Sequence, residues 1–377
     1  MQYRAFQKER DISQLGFGFM RLPLKGSDPA EIDAEKTEEM LLYAYEHGVN
    51  YFDTAYVYHG GRSEVVLGEL LSKNNIRDKV NIADKLPAFD LNEEWDPYAL
   101  FDEQLRRLGT LVIDFYLLHN LTRKKWDMLK QRHILEFLAH IRKSGHIGHI
   151  GFSFHDDTEA FRYILDDYDW EFCQIQLNFM DVAYQAGLAG LEYAGQKGVP
   201  VVIMEPLKGG QLLMMKDPYV DMLKVKHGLT DVPTAQICLN FLFDRPEVLT
   251  VLSGMNQLCQ VEENVRTACV MTPKMQPANE RAFLEELRIY IQGKDAIPCT
   301  ACCYCVEGCP QGIEIPEVFE LYNNARMFDS LKHNRNSYNK LHRNAETCIA
   351  CGQCVGVCPQ GLEIPELLKK CTKLLAK

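Results

Sequence analysis

Phe52-Asp53-Thr54-Ala55-Tyr56-Val57-Tyr58-His59-Gly60-Gly61-Arg62-Ser63-Glu64 is the stretch that decides how the rest of the chain is read. A short apolar run from Val49 to Ala55, broken by Asn50 and Asp53, reads as a buried strand. It ends in a glycine-bearing loop, after which Ser63 is placed to cap a helix. An acid at a strand end, with a phenol just beyond it, is costly to bury for stability alone. Two later strand ends add a lysine, in Ile82-Ala83-Asp84-Lys85-Leu86-Pro87, and a histidine, in Asp114-Phe115-Tyr116-Leu117-Leu118-His119-Asn120. In a parallel barrel, strand ends from distant parts of the sequence converge on one face. Asp53, Tyr58, Lys85 and His119 are therefore expected to form one constellation.

Outward from that stretch, strand-like runs at 16–20, 51–54, 80–84, 115–119, 147–154, 172–177, 199–204 and 249–252 alternate with helical ones. The helical segments fall at 35–47, 63–71, 97–108, 133–143, 158–165, 188–196, 234–243 and 257–267. Gly48, Gly109, Gly145 and Gly198 stand where glycine ends a helix. Eight strand–helix units in about 260 residues fit an α/β (β/α)₈ TIM barrel, with a doubly wound open sheet as the alternative. No G-x-G-x-x-G opens a helix near the start, since Leu15-Gly16-Phe17-Gly18-Phe19 lacks the third glycine, and the barrel is preferred. The expected organisation is a barrel over 1–275, a helical connector over 276–297, and a cysteine-rich domain over 298–377.

A chain of 377 residues is long enough for a large core and a smaller second unit. Its formal net charge of −11 argues against nucleic acid or an anionic membrane as the main partner. The first eleven residues have no apolar core, so no signal peptide is expected, and no run approaches the length that spans a bilayer. A cytoplasmic location follows as an expectation. Fourteen cysteines are many, and ten of them lie from Cys299 onward, which points to metal or cluster binding rather than disulfides.

The segment from Cys299 to Pro316 recurs as Cys348 to Pro365, with twelve of eighteen positions identical. Each copy reads C-x₂-C-x₂-C-x₃-C-P. Three thiolates so spaced can wrap three irons of one cubane, and the fourth, before a proline, ligates the other cluster. Cys299, Cys302, Cys305 and Cys358 should then hold one [4Fe–4S] cluster, and Cys309, Cys348, Cys351 and Cys354 a second. Paired zinc knuckles, which use two ligand pairs separated by a loop, are the alternative. The pattern resembles the bacterial two-cluster ferredoxin domain, a small α+β unit. Cys303 is additional and is expected to be a small packed residue. Between the copies, 332–343 is basic within an acidic protein, either a solvated linker or a docking patch for an acidic electron carrier.

Phe52-Asp53-Thr54-Ala55 with Tyr58, Lys85 before Leu86-Pro87, His119 and Gly151-Phe152-Ser153 resemble the aldo-keto reductases over residues 3–269. The whole chain is similar to members with a C-terminal ferredoxin-like extension. The resemblance implies nicotinamide-dependent reduction of a small carbonyl, or the reverse oxidation of an alcohol. Tyr58 would be the acid, with its pKa drawn down by Lys85; Asp53 would hold Lys85, and His119 would orient the carbonyl. It also implies nicotinamide contacts from Ser153, from Gln174 (or Gln176), and from Met204 where many members place a tyrosine. Phe154 replaces the family's Asn. Pro206 and Leu207 follow, and Gly209 and Gly210, after Lys208, would cradle the pyrophosphate. Ser253, Gly254, Gln260, Glu263 and Asn264 would meet the tail of NAD(P)H. The Lys and Arg that hold the 2′-phosphate in NADPH-selective members are absent there, which implies weak discrimination between NADH and NADPH.

Substrate specificity is assigned to the loops 86–95, 120–126 and 208–217. A hydride carries two electrons and each cluster one, so an external ferredoxin or flavodoxin is a possible partner. A nicotinamide-binding redox sensor is the competing function.

Overall fold

The structure, a computed structural model, describes all residues except 8, 9, 89, 90, 93, 214–216, 294, 328–330 and 377. The excepted positions include parts of the 86–95 and 208–217 loops, which to that extent lie outside the described residues. A short antiparallel hairpin, β1 (Tyr3–Phe6) and β2 (Arg10–Ser13), precedes the first barrel strand. Eight parallel strands then close into a barrel. They are β3 (Leu15–Gly18), β4 (Tyr51–Asp53), β5 (Asn81–Leu86), β6 (Ile113–Leu121), β7 (Ile147–Phe154), β8 (Phe172–Gln176), β9 (Val201–Met204) and β10 (Val248–Ser253). All eight expected strands are present, within a few residues of their expected bounds.

The register sets the site. Asp53 on β4 lies beside Ala83 of β5, and Lys85 of β5 lies beside Leu117 of β6. Both functional side chains therefore stand near the C-terminal ends of neighbouring strands, the face on which barrel sites are built. Tyr51, Phe115, Phe172, Val202 and Leu249 fill the interior beneath, and Phe6 and Ile12 of the hairpin join them. Phe6 packs on Phe115 at 5.1 Å and on His149 at 4.7 Å between ring centroids. The hairpin thus closes the end of the barrel opposite the site. Helices on the outside bury a second apolar layer against the strands.

These helices are α1 (Ala34–Glu46), α2 (Arg62–Lys73), α3 (Pro97–Leu108), α4 (Arg123–Gln131), α5 (Ile134–Lys143), α6 (Thr158–Asp166) and α7 (Gly187–Gln196). Asp33, Asp96, Thr122 and Asp157 cap their helices through backbone N–H groups, as short polar side chains do. Ser63 does not: α2 is preceded by Gly61 at φ 84°, and the Ser63 hydroxyl bonds Thr54 Oγ1 at 2.8 Å and donates to Phe19 O. It ties the loop after β4 to the turn that follows β3. Gly48, Gly109, Gly145 and Gly198 are all left-handed, as helix-ending glycines should be.

The chain divides into two compact units, 1–206 with 235–276, and 207–234 with 277–377. In the first, α9 (Thr234–Phe243) and α10 (Leu258–Val270) complete the helix layer begun by α1. In the second, α8 (Pro218–Lys226) packs on α11 (Ala278–Gln292). Tyr219 stacks on Tyr290 at 4.0 Å, and Lys226 pairs with Glu286 at 2.7 Å. The segment 207–234, counted with the barrel by sequence, therefore groups with the connector helix. Beyond it, α12 (Tyr304–Glu307) and α13 (Ile315–Met327) are repeated as α15 (Gln353–Gly356) and α16 (Ile364–Leu375), with α14 (Leu331–Tyr338) between. Ile297, Val318, Phe319, Leu368 and Leu375 form their common core. Among the described residues, strands lie only between Tyr3 and Ser253.

Candidate active site and cysteine cavities

The four expected residues meet. Lys85 Nζ donates to Asp53 Oδ1 at 2.7 Å, to Thr54 O at 2.7 Å and to Tyr58 Oη at 3.3 Å. The His119 ring stands edge-on to Tyr58, 6.1 Å between centroids. Lys85 is wholly buried, Asp53 and His119 are 3% exposed, and Tyr58 is 8% exposed. A turn closed by Tyr58 N donating to Ala55 O leads from β4 to Tyr58, and the chain then winds left-handed through His59, Gly60 and Gly61 into α2.

Burial dominates the electrostatics. It pushes the Tyr58 phenol well above 10, and the Asp53 charge adds to this while Arg21 opposes it. The fall in this value expected from Lys85 is outweighed, chiefly by burial. Tyr58 is therefore a protonated phenol. Burial also raises the Asp53 carboxyl against the pull of Lys85. His119 is driven well below its ordinary value by burial, then by the charges of Lys85, His155 and Lys125. It is a neutral imidazole, suited to share a hydrogen bond with a carbonyl.

Behind Lys85 lies a polar network absent from the sequence expectations. Asp84 Oδ1 accepts from the Lys85 amide at 2.8 Å. Gln104 Nε2 donates to Asp84 Oδ2 at 2.7 Å, to Lys85 O at 3.0 Å and to Glu64 Oε1 at 3.3 Å. Tyr116 donates to Gln104 Oε1 at 2.7 Å, and Arg107 bonds Glu64 at 2.8 Å and Tyr56 O at 3.1 Å. Burial, then the Glu64 charge, raises Asp84 far above the ordinary carboxylate range. The network fixes the strand carrying Lys85 to the loop carrying Tyr58. A sequence signal existed: Gln104 shares the buried face of α3 with Phe101 and Leu108.

Of the nicotinamide candidates, Ser153 and Met204 stand at the ends of β7 and β9, and Gln174 in the middle of β8. Gln174 Oε1 is buried with no hydrogen-bond partner, while Nε2 reaches only the Met204 sulfur, at 3.6 Å. An unmet buried acceptor costs about 1–3 kcal/mol, which a ligand N–H would relieve. The donor set therefore fits a carboxamide. Gln176, its neighbour on the same face, is engaged by Asp181 at 2.9 Å. Ser153 Oγ accepts from the Asn120 amide. At the tail end, Asn264 donates to Ser253 Oγ and Gln260 Oε1 accepts from Asn256 N; Glu263 is half-buried on the same helix. A side chain at Gly254 would meet the stem of Arg21 at 3.4 Å. Arg21, which the sequence did not single out, pairs with Glu205 at 2.8 Å. Pro206 ends the first segment of the barrel unit, whereas Leu207, Lys208, Gly209 and Gly210 belong to the other unit. Gly209 and Gly210 there form a left-handed turn.

The eight expected ligand cysteines fall into two sets of four. Cys299, Cys302, Cys305 and Cys358 line one cavity. Cys309, Cys348, Cys351 and Cys354 line another. Each cavity takes three cysteines from one run and the fourth from the other. Among the described residues no three His, Cys, Asp or Glu side chains close on a single-ion site. Burial and the neighbouring cysteines disfavour a Cys305 thiolate, so the donor set calls for a cationic core. Backbone N–H groups already point at three sulfurs, from Ala301 to Cys299, Ile313 to Cys309 and Ala350 to Cys348. Cys303 is exposed rather than packed, because its left-handed backbone turns it out of the core. In the basic segment, Arg335 and Arg343 donate to backbone carbonyls of Leu374 and Gln311.

A family model described as the Aldo/keto reductase family matches residues 14–278, and one described as a 4Fe-4S dicluster domain matches 298–362. An uncharacterized oxidoreductase of Schizosaccharomyces pombe is 28% identical over 270 residues, 68% of this chain and 82% of its own length. The L-galactose dehydrogenase of Arabidopsis thaliana is 28% identical over 279 residues, 67% of this chain and 83% of its own length. Among solved structures, the holo form of an aldo-keto reductase from Bacillus halodurans superposes with a TM-score of 0.61 at 25% identity, covering 76% of this chain and 96% of its own. An aldo-keto reductase from Klebsiella pneumoniae in complex with NADPH gives 0.59 at 20% identity, covering 76% and 96%, and supports the fold. No helix among the described residues is long and apolar enough to cross a membrane. With the family model spanning more than two thirds of its length, the chain belongs to the aldo/keto reductase family and is an oxidoreductase with a 4Fe-4S dicluster domain following its barrel.

Proposed function

We propose that the barrel reduces a small carbonyl compound with a nicotinamide cofactor. The observation that carries this reading is the contact of Lys85 Nζ with both Asp53 and Tyr58 in a site closed to water. A bound nicotinamide would supply the hydride to the carbonyl carbon. Tyr58, protonated across the neutral range, gives its proton to the carbonyl oxygen. Lys85 stabilises the phenolate left behind, and Asp53 keeps Lys85 in place. Neutral His119 holds the carbonyl oxygen and sets the face it presents. Gln174 would take the carboxamide, beside Ser153 and Met204. The relatives and neighbours include proteins named for NADH and for NADPH, consistent with a tail site that carries no Lys or Arg of its own at Gly254 or Gln260.

Cys299, Cys302, Cys305 and Cys358 would hold one [4Fe–4S] cluster, and Cys309, Cys348, Cys351 and Cys354 the other. The crosswise grouping of the cavities supports that assignment. Such clusters serve one-electron exchange, and the partner we assign to them is an external carrier of ferredoxin or flavodoxin type. The test is an anaerobic assay of cluster-loaded protein with a broad aldehyde and ketone panel, using NADH and NADPH in turn. Turnover supports the reductase. Tight cofactor binding with no turnover of any carbonyl would mean a redox sensor instead.

A further inference from the structure

Five cysteines surround the first cavity, and four the second. Beside Cys299, Cys302, Cys305 and Cys358, the first is lined by Cys303; at the matching place the second has Gly352. The two runs otherwise fold alike. Ala301 and Ala350 have φ 54° and 55°, and Cys303 and Gly352 have φ 66° and 77°. A Cβ at Gly352 would meet nothing within 4 Å, so packing does not ask for a side chain at this position. Cys303 is nevertheless a cysteine, exposed, and held in a conformation that favours glycine. Its thiol donates to Ala301 O at 3.5 Å.

We propose that Cys303 is a reserve ligand for the cluster of this cavity, able to take the place of its neighbour Cys302. This rests on the cluster reading given above. The replacement is thiolate for thiolate: one iron–sulfur bond to Cys302 breaks, one to Cys303 forms, and the Cys303 proton passes to the released Cys302 sulfur. No electron changes hands, and no co-reactant is required. The second cavity has no such reserve, so the two clusters should differ in their tolerance of ligand loss.

The full-length chain, reconstituted anaerobically with iron and sulfide, is compared with Cys302→Ala, Cys351→Ala and Cys302→Ala/Cys303→Ala. Iron content and the electron paramagnetic resonance of the dithionite-reduced protein are measured. Wild type should bind about eight irons. Cys302→Ala should keep both clusters, one with a shifted signal, while Cys351→Ala and the double variant each lose one. Loss of a whole cluster in Cys302→Ala, matching Cys351→Ala, would overturn the proposal. Should Cys302→Ala fail to fold, Cys303→Ala provides the second measurement. It should load fully but release iron to a chelator several-fold faster than wild type, and equal rates would overturn the reserve role. A wild-type chain that takes up no cluster would overturn the cluster reading and this proposal together.

Discussion

Lys85 Nζ lies 2.7 Å from Asp53 Oδ1, and neither group is open to water. Breaking a buried ion pair by removing one partner costs about 3–5 kcal/mol, whereas removing both charges costs much less. Asp53→Leu should therefore destabilise the barrel by about 3–5 kcal/mol, and Asp53→Leu/Lys85→Met by less than the single change. All three tryptophans, Trp95, Trp126 and Trp170, belong to the barrel unit. Their fluorescence during urea unfolding reports that stability directly. A double variant as unstable as the sum of the two singles would mean the pair is not coupled.

Gln104 ties four groups together with one amide. Gln104→Leu leaves Asp84, Tyr116 and the Lys85 carbonyl short of a partner, at about 1–3 kcal/mol for each buried group. A loss of about 3 kcal/mol or more in the same unfolding measurement is expected. A drop in kcat at unchanged cofactor affinity should accompany it, because Lys85 is no longer held in register. Full activity in Gln104→Leu would remove the network from the account.

His119 gives the pH dependence its sign. Its folded pKa lies well below the ordinary value near 6.5, so the folded chain stays neutral there while the unfolded chain takes a proton. The stability it contributes is present above about pH 6.5 and is lost as the pH falls toward the folded value, by about 1.4 kcal/mol per pH unit. Asp84, whose pKa is raised, acts with the opposite sign, so the comparison must be made against a variant. Between pH 6.5 and pH 5 the wild type should lose about 2 kcal/mol more barrel stability than His119→Asn. Equal losses would place a charged His119 in the folded chain.

Cys358 belongs to the second run in sequence and to the first cavity in space. Cys358→Ala should therefore abolish the same cluster signal as Cys305→Ala, and Cys309→Ala the same signal as Cys354→Ala. Each variant should retain about half the iron of wild type, with the barrel's circular dichroism unchanged. If Cys358→Ala instead removed the signal lost in Cys354→Ala, each run would hold its own cluster.

The barrel was legible because its eight strands are short apolar runs with helices of clear period between them. Asp53, Lys85 and His119 could be seen because an ionisable residue at the end of such a run is conspicuous. The cysteine runs announce themselves by spacing alone. The hairpin over Tyr3–Ser13 was not legible: its strands are four residues each and largely polar, with Phe6 and Ile12 as the buried apolar residues among those described. The helix Arg123–Gln131 escaped for the same reason, since only Trp126 and Leu129 face inward. The direction of the Tyr58 shift could not be read from the sequence, because it depends on how completely the barrel excludes water and on how near the Asp53 charge lies. Cys303 was misjudged as packed because its exposure follows from a backbone angle that the sequence does not display.

The central claim is that Tyr58 is the proton donor of a carbonyl reductase. Its most direct test is the steady-state kinetics of anaerobically prepared Tyr58→Phe on whichever carbonyl the wild type turns over, alongside a direct titration of cofactor binding. The account predicts a fall in kcat of about 10²–10⁴-fold, with cofactor affinity and barrel unfolding essentially those of wild type. Activity within a few-fold of wild type would contradict it.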